Sequence, residues 1–570
     1  MSVFDTIKVR KPKKSNFDLS HEVKLSTEFG RLTPILFQDV LPGDTWSVNT
    51  EIFTRMAPML APIMHRVDVY THFFYVPKRL LWSKWNDFIF GGENGEDKPL
   101  YPRFEIGDIN LSFPTNVARN LFGPSSLMDY LGFPVPNNPD ISMVSEIDAL
   151  PFKAYQLIYN EYYRDQNLED PIDIGVDQEG VVRLPQPMTA GGENASINML
   201  YYRNRAWKKD YFTSALPWAQ RGAQVTIPLL GDAPIYTDPS LVGQTRAGMY
   251  KADGGKLGPG TLQVANGSGT TGTSLLINKT GDTTFQQVNY DLGTKGNKKN
   301  PHRADLSEAS GISINDFRRL NSVQRFLEAM ARGGSRAKEA LFNIFGVNSS
   351  DARLQRPEYL GGGVSPITIS EVLQHSQTTE GNNGSPLGDM GGHGASVGRT
   401  HSFKRYFEEH GYVIGIMSII PKASYQQGMP RMFRKFDQLD HAFPQFAHLG
   451  EQEIKNGELY WYWDDADSVN DDNVFGYAPR YSEYKYIPNS VHGDMRDTLA
   501  YWHLGRIFNQ QPGLNKDFVT VGWSPDESER SGGLNRIFAA EKVNYDHFWI
   551  QIYHNIRAKR PLPYYGTPSL

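Results

Sequence analysis

The chain has 570 residues, with 58 Lys and Arg against 63 Asp and Glu, a net charge of −5. This balance excludes a surface coated throughout with nucleic-acid-binding charge, so any contact with a polyanion has to be local. The absence of cysteine excludes disulfides, thiolate metal sites and thiol nucleophiles, and fits folding in a reducing cytoplasm.

Aromatic content of 12%, with 53 Gly and 36 Pro, describes a strand-and-loop protein with large buried or interfacial surfaces. Length alone suggests about four domains, but one double-sheet β domain with large insertions is equally legitimate. The N-terminus lacks the apolar core of a signal peptide. It carries Lys8, Arg10, Lys11, Lys13 and Lys14, with Pro12 among them. Two readings stay open for this run: a solvated terminus, or an arm that neutralises phosphate.

Pro42-Gly43-Asp44 marks a turn. From Trp46 to Met56 the residues alternate. Trp46, Val48, Thr50, Ile52, Thr54 and Met56 share one face, which predicts a half-buried strand. Pro58 and Pro62 end it. Val67 to Val76 is apolar on both faces and predicts an interior strand. Phe90 to Pro139 reads as loop with short elements. Phe152, Tyr155, Tyr159 and Tyr162 recur at helical spacing, and their stripe is read as packing. The region from Asp87 to about Ile197 reads as an insertion. Asp210 to Gly222, DYFTSALPWAQRG, is read as a loop burying Tyr211, Phe212 and Trp218, and Val225 to Leu230 as a strand.

Gly231 to Gly311 is a polar, glycine-rich excursion with short strands expected at Ser274–Ile277 and Thr284–Val288. Phe317 to Met330 and Ala337 to Phe345 predict an amphipathic helical hairpin lying against a sheet, broken at Gly333-Gly334. Thr378 to Thr400 reads as a second polar loop. His410 to Ile420 is a strongly apolar strand, about half the length of a bilayer-spanning helix, so no membrane insertion is expected. Tyr460 to Asp472 is an aromatic strand end entering an acidic loop. Phe548, Ile550 and Ile552 alternate with Trp549, Gln551 and Tyr553, and this late strand is a candidate neighbour of the Trp46 strand.

Several of these stretches resemble one family. Met56-Ala57-Pro58, Val69 to Pro77 and Leu80-Leu81-Trp82 are similar to the major capsid protein of gokushoviruses, small icosahedral single-stranded DNA phages of the Microviridae. Pro42-Gly43-Asp44, the Asp210–Gly222 stretch and the tail Arg560 to Pro568 match the same pattern. The family more often carries Pro where this chain has Ala219. The resemblance implies a mainly β fold, an eight-stranded antiparallel jelly roll with large loop insertions and some helices. It divides the chain into 1–86 (arm and first strands), 87–197 (insertion with short helices), 198–230 (jelly-roll body), 231–311 (variable insertion) and 312–570 (hairpin, remaining strands, tail). The implied role is self-assembly into a T=1 shell around circular single-stranded DNA, made in the bacterial host cytoplasm. Copies would meet at threefold and fivefold axes. Further implied partners are a small basic DNA-binding protein, a pilot protein and a host surface receptor. The excursion would form a threefold protrusion, with Asn266, Gly267, Ser268, Gly269, Thr270 and Thr271 as host-contact residues. The basic run would be an interior DNA-binding arm.

No cofactor and no catalytic residue is expected. Gly394 to Thr400 lacks the lysine of a phosphate-binding loop, and no metalloprotease or nucleophile-elbow motif occurs. His441 and His448 read as structural histidines. Asp465, Asp467 and Asp471, with Asp464 and Asp472, form a weak candidate for Ca²⁺ without the glycine and distal glutamate of an EF-hand. Two rival functions remain in view. A polysaccharide-active enzyme would use these carboxylates beside Trp461, Tyr462 and Trp463. A standalone single-stranded nucleic-acid-binding protein would need a long basic groove with stacking aromatics, and the sequence shows a basic cluster only at one end.

Overall fold

Strands divided between two sheets build the main body. In the computed structural model, β1 is Ser15–Asp18, β2 His21–Thr27, β3 Thr33–Val40, β4 Thr45–Met56 and β5 Val67–Pro77. Later come β6 Glu358–Pro366, β7 Thr368–Leu373, β8 Met390–Tyr406, β9 Gly411–Pro421 and β10 Phe548–Arg560. The structure describes residues 13–106, 121–135, 145–183, 198–222, 235–237, 250–251, 262–264, 275–279, 286–289, 302–304, 314–334, 336–373, 390–463, 468–522, 533–539 and 546–565.

One sheet is six-stranded, ordered β1-β10-β4-β8-β7, with β2 also pairing with β10. The other is four-stranded, ordered β6-β5-β9-β3. All of these pairings are antiparallel. Where the resemblance implied eight strands, these two sheets hold six and four among the described residues.

The inner faces follow from period-two patterning. Along β4, the side chains of Trp46, Val48, Thr50, Ile52, Thr54 and Met56 are buried, and β5 begins only after the proline-containing connector. β10 runs beside β4 from Phe548↔Met56 to Lys559↔Thr45, burying Phe548, Ile550, Ile552 and Ile556. Facing them across the sandwich are Val69 and Phe73 of β5 with Val413, Met417 and Ile419 of β9, in one core. Each such side chain contributes about 1.5–3 kcal/mol when fully buried.

β5 lies between β6 and β9, and cores on either side cover both of its faces. Phe74 and Val76 on its outer face join a second core with Trp82, Phe104 and helix α1 (Leu150–Ile158), which supplies Phe152, Tyr155 and Ile158. Tyr155 donates to the Leu32 carbonyl at 2.8 Å. The stretch read as an insertion therefore seals one sheet face. Helix α1 continues into a π turn, Tyr159–Tyr163.

Two sequence expectations differ from the structure. Much of the Thr378–Thr400 loop is the start of β8. Its glycines permit close approach: a Cβ at Gly392 would lie 2.5 Å from the Ala61 carbonyl oxygen, and one at Gly394 2.5 Å from the Met56 sulfur. The helices α2 (Ile314–Gly333) and α3 (Ala337–Phe345) form as expected, with Asn343 donating to the Ala329 carbonyl at 2.9 Å. Their apolar stripe is not laid on a sheet, however. No residue of α3 is buried, and Phe342 and Phe345 are exposed.

By contacts the chain divides into two compact units, Met1–Arg221 with Leu327–Leu570, and Gly222–Phe326. The second contains a four-stranded antiparallel sheet in which Leu275–Lys279 pairs with Gln286–Asn289, near the two short strands expected there. The Val225–Leu230 strand lies outside the described residues. Among the described residues no helix is long and apolar enough to cross a membrane.

Candidate functional surfaces

The basic run has a fixed root. Lys8, Arg10 and Lys11 lie outside the described residues, and Lys13 is exposed. Lys14 donates its ammonium to the Gly43 carbonyl at 2.5 Å and lies 5.0 Å from the Tyr406 ring centre. That carbonyl is presented by the Pro42-Gly43-Asp44 turn, where Gly43 has φ +91°, a conformation glycine adopts without strain. The buried Asp44 carboxylate holds the turn, accepting from the Leu41 N–H at 3.2 Å and from Trp46 Nε1 at 3.1 Å. Just beyond Lys14, β1 pairs with the end of β10, Ser15↔Arg560 and Asp18↔Arg557. Arg560 lies 3.0 Å from Asp44 and over the Trp46 ring. Arg557, Lys559 and Arg560 thus lie beside the root at the end of β10, where Arg557 pairs with Asp18 at 2.6 Å and Arg560 with Asp44.

The acidic segment is divided. Asp465 and Asp467 lie outside the described residues. Asp471 is buried and accepts from the Tyr462 N–H at 3.3 Å and from Gln511 Nε2 at 3.2 Å. Burial raises its pKa, with those hydrogen bonds and Arg434 opposing. Asp472 instead pairs with Arg434 at 2.5 Å on the surface. Trp461 is half-buried beside Arg434, 5.1 Å from the ring centre, while Trp463 is exposed. Among the described residues no three His, Asp or Glu side chains converge as metal ligands would. The host-contact residues Asn266, Gly267, Ser268, Gly269, Thr270 and Thr271 also lie outside the described residues.

The Asp210–Gly222 stretch is built as packing. Tyr211 and Phe212 are buried in a third core with Phe475 and Phe518, and Trp218 is half-buried. One oxygen of Asp210 accepts from the N–H groups of Phe212 and Thr213 at 3.0 and 2.8 Å. The other accepts from the Tyr425 hydroxyl at 2.7 Å. Tyr211 donates to Glu458 at 2.8 Å. Its role is to hold the loop.

A surface that the sequence did not single out runs from Arg431 to Leu449. Polar groups fix its backbone. Arg431 donates to the Glu453 carbonyl at 2.6 Å. Lys435 sits 3.4 Å from Glu483 and 3.7 Å from the Tyr484 ring centre. Asp440 accepts from the N–H groups of Phe436 and Asp437 at 3.0 and 2.9 Å. The apolar side chains turn outward: Phe436 is 88% exposed, and Met432, Phe433, Leu439 and Leu449 are also exposed. Ile487 is likewise 88% exposed. His441 and His448, read as structural, are exposed on the same segment. A fixed backbone presenting several large apolar side chains to water marks an interaction surface.

Comparison with known proteins bears on these surfaces. The family described as "Capsid protein (F protein)" matches residues 5–570. The chain is 33% identical over 609 residues to "Capsid protein VP1" of Chlamydia phage 1, covering 98% of this chain and 96% of that protein. It is 33% identical over 570 residues to "Capsid protein VP1" of Bdellovibrio phage phiMH2K, covering 98% and 95%. It is 29% identical over 572 residues to "Capsid protein VP1" of Spiroplasma virus 4, again covering 98% and 95%.

Proposed function

Since this chain belongs to the capsid protein (F protein) family of phages, and is thus a structural protein of the virion that assembles into the shell, we propose that it closes that shell through the Arg431–Leu449 surface. The observation that carries this reading is the outward apolar row of Met432, Phe433, Phe436, Leu439 and Leu449 on a polar-anchored backbone. A second copy is the occupant, because the family's work is self-association and closure needs a patch on every subunit.

The shell is a T=1 icosahedron with threefold and fivefold contacts, assembled in the bacterial cytoplasm around circular single-stranded DNA. The two sheets form a jelly roll. This is supported by β3, β4 and β5 passing from one sheet to the other and back, and by the β6-β5-β9-β3 order. The segment 231–311 projects near the threefold axes and meets the host receptor, its polar, glycine-rich composition supporting exposure. Lys8, Arg10, Lys11, Lys13 and Lys14 form an interior arm on DNA phosphates, supported by the pinned root and by the basic end of β10. A small basic DNA-binding protein and a pilot protein of the same phage share that interior. The test is electron microscopy with sedimentation of purified material. Closed particles of one size are expected. A chain that stays monomeric with its phage partners present overturns the reading.

A further inference from the structure

The outer faces of the two sheets differ. Helix α1 and the second core cover that of the four-stranded sheet. On the six-stranded sheet, outward side chains of β4, β8 and β10 are exposed, and the register sets several apolar ones side by side. Trp549 and Tyr553 of β10 flank Gln551, Gln551 lies opposite Phe53 of β4, and Phe53 lies opposite Val397 of β8. Direct and diagonal neighbours on one face are within reach of aromatic side chains. Trp549 is 50% exposed and Val397 77%, Tyr553 is exposed, and Phe53 is half-buried. Arg55, opposite Trp549, is exposed, with its guanidinium 5.3 Å from the Phe53 ring centre. This face is apolar in its middle and carries a cation beside its rings.

The same chain carries an apolar helix that lies on no sheet. No residue of α3 is buried, and Phe342, Ile344, Phe345 and, just past its end, Val347 are exposed. The helix stops at Gly346, whose φ of +66° is left-handed. Gly346 and Val347 donate their N–H groups to the carbonyls of Phe342 and Leu341 at 2.9 and 3.3 Å. The carbonyls of Asn343, Ile344 and Phe345 accept no backbone hydrogen bond among the described residues, as the last turn of a helix leaves them. A helix C-terminus carries about half a negative charge. The tip of α3 therefore sets apolar rings beside partial negative charge, and the sheet face sets apolar rings beside Arg55. The two patches are both exposed on one subunit, so neither covers the other within it.

An apolar sheet face and an apolar helix stripe are each stable when packed on another element. We propose that α3 of one subunit packs Phe342 and Phe345 on the Trp549–Phe53–Val397 face of a second copy, with its C-terminal carbonyls towards Arg55. Two different patches meet, so the contact is heterologous, and repetition by rotation closes a ring. A half-exposed aromatic side chain has about 100 Å² left to bury, so the contact covers on the order of 300 Å² on each subunit. A stable pair of proteins covers about 800 Å² per partner. The contact is too small to hold two free subunits together, and it operates in a closed ring, where every subunit makes it twice. It is a second contact between copies, independent of the Arg431–Leu449 surface.

The chain has no cysteine, so a linkable pair can be introduced without background. Val397→Cys and Val347→Cys, both at exposed positions, are combined in the full-length chain, and assembled particles are treated with a flexible bis-maleimide. Denaturing electrophoresis should show a ladder that ends at trimers or pentamers, the closed ring, while neither single variant forms a ladder. Absence of the ladder from the double variant, or a ladder that stops at dimers, overturns the inference. Hydroxyl-radical footprinting of the unaltered chain gives a second reading that no substitution can disturb. Oxidation of Trp549, Tyr553, Phe342 and Phe345 should fall about threefold from free subunit to particle, as half-exposed rings become covered. Protection of one patch without the other, or of neither, overturns the inference. Intact particles with both patches unprotected overturn this contact and leave the Arg431–Leu449 surface standing.

Discussion

His554 on β10 and Thr50 on β4 face each other at the centre of the sandwich, Nδ1 to Oγ1 2.9 Å, across 504 residues of sequence. The other ring nitrogen of His554 contacts the Ile35 carbonyl at 2.9 Å, so one imidazole ties both sheets together. Burial lowers the His554 pKa to about 4, with the Ile35 carbonyl opposing and His21 adding to the fall.

This predicts acid sensitivity with a definite sign. The unfolded imidazole titrates near 6.5, so below that value the unfolded chain binds a proton that the folded chain does not. Stability from His554 is complete above pH 6.5 and declines as pH falls towards about 4, by up to roughly 3 kcal/mol. Urea midpoints of the unassembled subunit at pH 7.5 and 4.5 should differ accordingly, and His554→Gln should flatten the difference. An equal pH dependence in the variant would place the effect elsewhere. His65, which burial also pushes down to about 4, adds in the same direction.

The buried pair Arg31–Asp546, at 3.2 Å with both side chains almost fully covered, gives a second prediction. Asp546 also accepts from Ser26 and Ser125 at 2.7 and 2.5 Å, while Arg31 reaches the Tyr130 hydroxyl at 3.0 Å. Asp546→Asn leaves a buried guanidinium uncompensated and should cost about 3–5 kcal/mol. Thermal unfolding of the subunit measures it. A loss under about 1 kcal/mol would mean that water or a neighbouring group reaches Arg31.

Assembly supplies a third. Phe436→Glu places a charge where a second copy would seat its apolar surface, without touching a core. Subunits should remain folded by circular dichroism yet fail to sediment as closed particles. Normal particles from Phe436→Glu together with Met432→Glu would remove this surface from the interface.

The arm gives a fourth. Because Lys14 is already engaged with Gly43, about four of its five basic residues remain for DNA, a salt slope of roughly −2.8 per arm. Replacing all five with Gln should remove that slope and lower packaged DNA. Unchanged packaging would assign the arm a different role.

Shortening Asn266 to Thr273 should spare assembly and alter adsorption to the host. Failure to form particles would make the segment structural.

Much of the sandwich was legible because half-buried strands write their period into the chain. The β4 alternation and the unbroken apolar run of β9 are direct records of which faces are covered. β8 was not legible, since Gly392 and Gly394 are selected by the backbone and sulfur pressed against them, and glycine-rich polar sequence otherwise means loop. The α2–α3 periodicity revealed helices but not what their stripe faces, because an apolar residue left exposed looks in sequence like one buried in a core. A cleft lined by eight Lys and Arg side chains was illegible for another reason. Arg66, Lys422 and the Arg205–Lys208 stretch come from separate segments, and no local count of charge can find a site that only the fold assembles.

The pairing of β1 and β2 with β10 also fixes when the subunit can exist. β4 pairs with β10 along its whole length, and β10 is translated long after it. Throughout translation the first strands wait with open edges, a condition in which nascent chains depend on holding factors. A chain that stops early cannot complete the six-stranded sheet. Particle building therefore carries a proofreading step in the topology itself, admitting only chains translated as far as β10.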